Sequence, residues 1–434
     1  MKIVDILFCV LCIYLFILPE VRGFDLVNAV NSGLLNNYDL KVAKENLVSA
    51  RLESKEKHGY FTPTISFSGY QSETEQLDPF WSHTTTDELT ATLTQPLYDP
   101  SLSNNVEEAA INEQITRVRF QEIKEKITLN IVSTVFKVYG LIAQHSITNQ
   151  SLKFIEKNVV IQKKLLAANY RSRIDLLEAE TELARYQKEF RDITSKLELE
   201  LLNLSQVTQI DFSLDQFPTF KDLPNSETSE GFNKDYSYWV EAASRYNSQL
   251  SLVRLKQQQG RLNRKKGQDN LKPRVDLSFI HSITEDDSVS SEVIRANEIK
   301  LSFSISFTPI SSYYQILRLD SAQSVLELEE KRIIKELEDQ IRRLIETLAT
   351  TEKKLNLLFE WISKQKETIE LYQKGLEKQH FPVSKILEIS RKHNESLLEL
   401  SKSHIEIWEI ESQIFHLSGL LDKKAIAYFS KVIH

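Results

Sequence analysis

Apolar residues recur at intervals of three and four along most of the chain, which is the spacing of one face of an α-helix. Two stripes are especially long: Ile123, Ile127, Ile131, Val135, Val138 and Ile142 in the first half, and Ile334, Leu337, Ile341, Leu344 and Leu348 in the second. Both stripes predict long helices. We interpret them as core packing between helices and not as a cofactor site, because such apolar stripes normally face a core.

Four shorter segments alternate polar and apolar residues instead, which is typical of strands with one wet and one apolar face. These predicted strands are 62–70, 88–98, 272–281 and 298–308. Their wet faces are rich in Ser and Thr. A proline lies near one end of each segment, where we expect the chain to pass between helix and strand: Pro63, Pro96, Pro273 and Pro309.

The first predicted strand has a counterpart with the same pattern in the second half of the chain. "TPTISFSGY" begins at Thr62 and "KPRVDLSFI" at Lys272, and their prolines lie 210 positions apart. The same offset relates "DLLEAE" at Asp175 to "KILEIS" at Lys385. The chain therefore contains two copies of one unit. We predict copies at 24–204 and 235–421, a linker rich in Pro, Asp and Ser at 205–234, and a short C-terminal tail at 422–434.

Each copy is predicted to contain a first helix, two strands and a long helical hairpin. The first helices are expected at about 26–58 and 238–266, and the first hairpin at 101–168 and onward to 204. Asn169 can adopt the left-handed conformation that ends a helix, and Ser172 can cap the helix that follows. In the second copy Pro382 takes the place of Ser172.

The N-terminus resembles a secretory signal. Lys2 precedes an apolar run of 13 residues, Ile6 to Leu18, whereas a membrane-spanning helix needs about 20. We predict a signal peptide at 1–23; a retained anchor is the alternative. The two cysteines, Cys9 and Cys12, lie inside it, so the mature chain is predicted to have no disulfide and no thiol. No later segment is expected to form a membrane helix. The mature chain is then either soluble outside the cytoplasm or crosses a membrane as strands.

Composition and charge narrow the class of function. The net charge is −7, with basic and acidic residues interspersed, which disfavours a nucleic-acid partner. The chain has only 10 glycines, and no Gly-rich phosphate loop, H-E-x-x-H or G-x-S-x-G motif is present. The histidines show no metal-ligand spacing. We therefore predict no enzyme, no catalytic residue, no cofactor and no metal.

Strands of about 10 residues can cross a bilayer, and a Ser- and Thr-rich face suits a water-filled lumen. A small soluble sheet would show the same alternation. In lipid, four strands leave two open edges, so a membrane-inserted chain must oligomerise; three copies would give twelve strands. The polar segments 71–87 and 282–297, between paired strands, are predicted to be loops outside the cell. Several aromatic residues, Tyr70 among them, are interpreted as interfacial belts.

The ordered set of these features resembles the TolC-like outer-membrane efflux protein family, over nearly all of 24–421. The features are a Pro-led strand, "QPLYD" at 95–99, "NYRSRIDLL" at 169–177 and "HLSGLL" at 416–421. The resemblance implies a mainly α fold with a small β part and a homotrimer. Four strands per protomer then complete a twelve-stranded barrel in the outer-membrane lipid, continued by a long α-helical barrel in the periplasm.

The resemblance also implies a function and partners. The channel would be the exit duct of a tripartite system with a periplasmic adaptor and an inner-membrane ABC or proton-driven pump, passing small molecules or unfolded protein. A soluble periplasmic coiled-coil scaffold or interaction protein is the alternative. Family members constrict the periplasmic tip with acidic side chains, so the gate candidates here are Asp175, Glu178, Lys385 and Glu388. Solvated helix-end charges are the other interpretation of these four residues.

Overall fold

The computed structural model describes most of the chain from residue 24 onward. The described residues are 24–76, 82–170, 172–217, 232, 235–269, 271–286, 293–305, 309–377 and 383–433. The predicted signal peptide and most of the predicted linker lie outside them.

The elements occur in the same order in the two halves of the chain. The first half contains α1 (Leu26–Asn36), α2 (Tyr38–Gly59), β1 (Thr64–Gln76), β2 (Ser82–Tyr98), α3 (Pro100–Ala167) and α4 (Arg173–Thr208). The second contains α5 (Tyr236–Tyr246), α6 (Ser248–Asp269), β3 (Arg274–Asp286), β4 (Val293–Ser304), α7 (Pro309–Glu377) and α8 (Val383–Leu417). A 3₁₀ turn, Leu214–Gln216, follows α4, and a last helix, α9 (Lys423–Ile433), ends the chain. The duplication predicted from the sequence is thus confirmed as a repeated order of elements.

The first helix of each copy is broken, whereas the sequence predicted one continuous helix. The breaks fall at Asn37 and Asn247, 210 positions apart, and both residues are extended, with ψ of 126°. Asn37 Oδ1 accepts a hydrogen bond from the backbone N–H of Leu40 at 3.1 Å, which caps α2. Asn247 Nδ2 donates to the Leu417 carbonyl at 2.9 Å. The apolar spacing continues across both breaks, so periodicity alone could not reveal them.

The strands are displaced from their predicted bounds. The segments predicted as 62–70, 88–98, 272–281 and 298–308 are strands at 64–76, 82–98, 274–286 and 293–304. Most of the predicted polar loops 71–87 and 282–297 is therefore strand. Backbone hydrogen bonds hold an antiparallel ladder together whether or not polar and apolar side chains alternate. The polar ends of these strands show no such alternation, so the sequence pattern did not predict them as strand.

The four strands form one antiparallel sheet in the order β1-β2-β3-β4. The central pairing, β2 with β3, joins the hairpin of the first copy to that of the second. Directly paired residues share a face. One face is apolar and contains Ile65, Phe67, Leu89, Ala91, Leu93, Phe279, Ile283, Ile299, Leu301 and Phe303. The other contains Ser66, Ser68, Thr90, Thr92, Thr94, Ser278, Ser282, Ser302 and Ser304.

No part of the chain that the structure describes covers the apolar face. Phe67 is 81% exposed and Ile299 is 76% exposed. A polar pair also lies on this face, with His281 Nδ1 2.8 Å from Asn297 Oδ1. Strands β1 and β4 form the two edges of the sheet.

Three of the four predicted proline junctions lie where helix and strand meet. Pro63 and Pro273 directly precede β1 and β3, and Pro309 is the first residue of α7. Pro96 was predicted to be a junction and is not one. It lies within β2, at an irregularity of the β2–β3 register between Pro96 and Tyr98. The helix that follows begins at Pro100. Proline is tolerated at such a bulge, where a ladder hydrogen bond is already missing.

The chain divides into two compact units, and each contains segments of both copies. Unit 1 comprises 1–41, 123–247 and 336–434, and unit 2 comprises 42–122 and 248–335. Unit 2 contains the sheet. Its small core includes Ile111, Ile115 and Leu262. The sequence copies are therefore repeats of element order and not separate domains.

Unit 1 contains the main core. The apolar stripe of α3 is buried there, as predicted: Ile131, Val135 and Val138 are all fully buried. One stretch of α3 is long and apolar enough to cross a membrane by length and composition, contrary to the sequence prediction. That stretch is 61% buried within the protein, so its apolar residues already have a partner surface.

The predicted linker and tail also contribute to this core. Phe217, from the linker, stacks on Phe24 with ring centroids 4.7 Å apart. The tail was predicted only as a short extension, but it forms α9 and buries Phe429 completely. The Phe429 ring packs against Phe136 and Phe415, at 5.3 and 5.5 Å.

Candidate functional site

The turn between α3 and α4 has the geometry that the sequence predicted. Asn169 has φ of 59°, in the left-handed region. The backbone N–H of Tyr170 donates to the Leu165 carbonyl at 2.9 Å, which closes the end of α3. Ser172 caps α4, because its Oγ accepts from the backbone N–H of Asp175 at 3.2 Å. The turn is therefore locally determined by Asn169 and the cap.

Asp175, the first gate candidate, is part of this cap. Its Oδ2 accepts from the Ser172 backbone N–H at 3.1 Å and from the Ser172 Oγ at 3.0 Å. The pair forms a capping box. The carboxylate is thus held at the start of α4, where the helix dipole also favours a negative charge. Glu178, one turn further on, is exposed.

Lys385 and Glu388 lie at the start of α8 and contact each other. Lys385 Nζ is 2.9 Å from Glu388 Oε2, and Lys392 Nζ is 2.7 Å from Glu388 Oε1. Hydrogen bonds from Lys392 and Lys385, with the charges of both ammonium groups, lower the pKa of Glu388 to about 2. The same contact with Glu388 raises the pKa of Lys385. Pro382 lies outside the described residues.

Apolar packing brings the starts of α4 and α8 together. The cluster consists of Ile155, Val159, Ala179, Tyr186, Ile386 and Leu387, and we call it the tip cluster. Ala179 follows Glu178 directly, and Ile386 follows Lys385. The tip cluster therefore places gate candidates of both copies close to one packed surface. Burial raises the pKa of Tyr186 to about 12, so this phenol stays neutral.

A second constellation lies on the polar face of the sheet and was not predicted. Tyr70 and Glu88 are directly paired across β1 and β2. The Tyr70 hydroxyl donates to Glu88 Oε2 at 2.7 Å, and Thr90 Oγ1 donates to Glu88 Oε1 at 2.8 Å. Tyr70 had been interpreted as an interfacial aromatic near a strand end. It lies instead in the middle of β1, on the face of the Ser and Thr residues, because β1 is longer than predicted.

Among the residues that the structure describes, no group of three or more His, Cys, Asp or Glu side chains is arranged to hold a metal ion. The chemistry that the described charges offer is electrostatic, through fixed carboxylates and exposed ion pairs.

The fold is that of known outer-membrane channels. One relative is the outer membrane protein VceC from Vibrio cholerae, at a TM-score of 0.74 and 12% identity, with 91% of this chain and 96% of that chain covered. Another is the Campylobacter jejuni CmeC outer membrane channel, at 0.75 and 12%, with 94% and 89% covered. The Neisseria gonorrhoeae MtrE outer membrane channel gives 0.73 and 12%, with 92% and 90% covered. At these identities the likeness establishes the fold.

The sequence of the first copy also matches a known family. Residues 29–208 match the family model described as outer membrane efflux protein. The match covers the first copy, and the fold of the solved channels extends over the second. The first copy thus matches the outer membrane efflux protein family, as the resemblance predicted. The predicted outer-membrane location and transport class agree with that family, whose description is that of an efflux protein and not of an enzyme. A comparison with curated protein sequences gave no match.

Proposed function

We propose that this protein is the outer-membrane exit channel of a tripartite export system. Three copies of the chain would contribute four strands each to a twelve-stranded barrel in the outer membrane, continued by a helical barrel in the periplasm. A periplasmic adaptor and an inner-membrane ABC or proton-driven pump would deliver small molecules or unfolded protein to it. The family match of the first copy and the fold support the channel class.

The four-stranded sheet is the observation that supports a trimeric barrel. Its apolar face is exposed, its opposite face is wet, and β1 and β4 leave two edges open. An open edge in lipid costs several kcal/mol for each unpaired backbone group. Pairing β4 of one protomer with β1 of the next removes every edge, and the Ser and Thr residues then line the lumen.

The experiment is to measure the assembly of the protein. We expect outer membranes to release it only with detergent, as a trimer by light scattering. Phe67→Asp should lower the yield of trimer, because it places a charge on the apolar face. Ser66→Asp, its neighbour on the wet face, should assemble normally. A stable monomer without detergent would contradict the proposal and favour a soluble scaffold.

The proposal also sets the topology of the strands. The β1–β2 hairpin should project outside the cell, since it is the end of the sheet farthest along the strands from the helices that precede β1 and follow β2. We expect Glu75→Cys to react with an impermeant thiol reagent on intact cells. Lys164→Cys, near the α3–α4 turn, should react only after permeabilisation; the reverse result would invert the orientation.

The gate is proposed at the turns that flank the tip cluster. A threefold axis would bring three copies of these turns around one opening, so that Asp175, Glu178 and Glu388 become rings of carboxylates. The capping box supports this role for Asp175, because it fixes the carboxylate in position. In the closed channel, Lys385 would offset part of the negative charge through its contact with Glu388.

A further inference from the structure

On the polar face of the sheet, the row of Glu88 contains one charge among neutral side chains, as do the rows of Glu298 and Lys300 nearer the helices. Across β1, β2, β3 and β4, the directly paired residues of the Glu88 row are Tyr70, Glu88, Thr284 and Ile294. The next row toward the helices contains Ser68, Thr90, Ser282 and Ala296. The charge of Glu88 is therefore not compensated within its own row or the next one.

The Glu88 carboxylate is also fixed in position. Each of its oxygens accepts one hydroxyl hydrogen bond, from Tyr70 at 2.7 Å and from Thr90 at 2.8 Å. Both donors stand on the same face as Glu88, one on the paired strand and one two residues along β2. Two charge-assisted hydrogen bonds hold the carboxylate against the wall of the sheet.

The apolar residues on the opposite face of the sheet indicate where Glu88 lies relative to the hydrocarbon layer in the proposed barrel. On β2 the apolar residues Leu93, Ala91 and Leu89 of that face are followed by Asp87, so on this strand the apolar band ends beside Glu88. On β4 the same face becomes polar earlier, at Asn297 and Arg295. The β1–β2 ladder continues past this point to Gln76 and Ser82. If the apolar band marks the hydrocarbon layer, Glu88 lies on the lumen wall at the outer edge of that layer.

We infer that Glu88, positioned by Tyr70 and Thr90, makes the outer mouth of the channel prefer cations over anions. The inference rests on the proposed trimeric barrel, in which three Glu88 carboxylates form one ring. A twelve-stranded barrel is wider than the packed eight-stranded kind, so its lumen is open to water. Tyr70 and Thr90 are positioning residues, since they act on the passing ion only through Glu88.

The size of the effect depends on salt. The screening length is about 8 Å at physiological ionic strength and about 30 Å at 0.01 M, so the ring should act across the lumen only in dilute salt. Three unit charges several ångströms from the axis change the ratio of cation to anion permeability by about twofold or more under those conditions.

The experiment measures reversal potentials of the purified full-length channel in planar bilayers under a dilute KCl gradient. We expect Glu88→Gln to lower the potassium-to-chloride permeability ratio by about twofold or more, with unchanged trimer yield. Glu88→Asp should retain most of the preference, and Tyr70→Phe should lower it partly, by freeing the carboxylate. Asp87→Asn is the matched control: it removes the same charge from the adjacent residue on the opposite face and should leave the ratio unchanged.

The outcomes separate the inference from the proposed function. If the wild-type protein forms no pores, the channel proposal itself fails. If pores form and Glu88→Gln matches the wild type, or Asp87→Asn shifts the ratio equally, the role of Glu88 is overturned. Should Glu88→Gln not assemble, Ser68→Cys can be modified after assembly with a cationic thiol reagent. Loss of the cation preference would support the inference, and an unchanged ratio would overturn it.

Discussion

Replacing Gly419 by alanine is expected to destabilise the protein by about 2–4 kcal/mol. Gly419 ends α8 with φ of +70°, in the region that costs side chains energy. A Cβ atom at this position would lie 2.4 Å from the Tyr246 carbonyl oxygen and 2.6 Å from its carbonyl carbon. Those are backbone atoms, so relief requires moving the junction of α5 and α6. The variant should show a lower thermal midpoint by circular dichroism in the same detergent.

The duplication provides a matched control for this substitution. Gln209 lies 210 positions before Gly419, ends α4 and has φ of 58°. Gln209→Gly relieves a left-handed side chain but adds freedom to the unfolded chain, so its effect should be under about 1 kcal/mol. If Gly419→Ala is as mild as Gln209→Gly, the close approach to Tyr246 is not important for stability.

The sequence revealed the features that depend on local chemistry or on repetition. Asn169 predicted the end of α3, and Ser172 with Asp175 predicted the start of α4, because caps act within a few residues. The offset of 210 predicted the order of elements in the second copy. The alternation of Leu89, Ala91 and Leu93 with threonines predicted the two faces of the sheet.

The features that the sequence did not reveal depend on contacts between distant segments. The break at Asn247 is stabilised by a hydrogen bond to Leu417, 170 residues away. The tail became a helix because Phe429 fills a core built from other elements. Tyr70 was misplaced because the polar end of β1 shows no alternation of polar and apolar residues, so its partner Glu88 was missed as well. A prediction in which β1 continues past Tyr70 and β2 begins before Glu88 would have placed the two residues opposite each other.

Replacing Lys385 by glutamate is expected to open the proposed gate. The change removes the contact between Lys385 and Glu388 and puts two carboxylates three residues apart on one helix turn, where like charges repel. The loss of one exposed ion pair is expected to shift the equilibrium between the closed and open channel by a factor of roughly two to five. All three protomers lose the ion pair together, so the ratio of open to closed channels should rise roughly tenfold or more. Single-channel recording should show higher conductance or longer open times.

The structure offers a control on the same carboxylate. Lys392 contacts the other oxygen of Glu388 at 2.7 Å, but it lies two turns further along α8 than Lys385, about 10 Å from it. Lys392→Glu removes a similar contact and adds the same charge, away from the turn. We expect it to change conductance much less. Equal effects of the two substitutions would mean that the charge of α8 matters and that the gate is not at this turn.

The dependence on pH follows from Glu388. Its pKa is lowered from 4.5 to about 2, so pairing with the lysines is fully present above about 4.5 and is lost only as the pH falls toward 2. The difference between wild type and Lys385→Glu should therefore stay constant from about pH 8 to pH 5 and should shrink in more acidic solution. A difference that disappears near neutral pH would point to a histidine and not to the Lys385–Glu388 contact, because only histidine ordinarily titrates in that range.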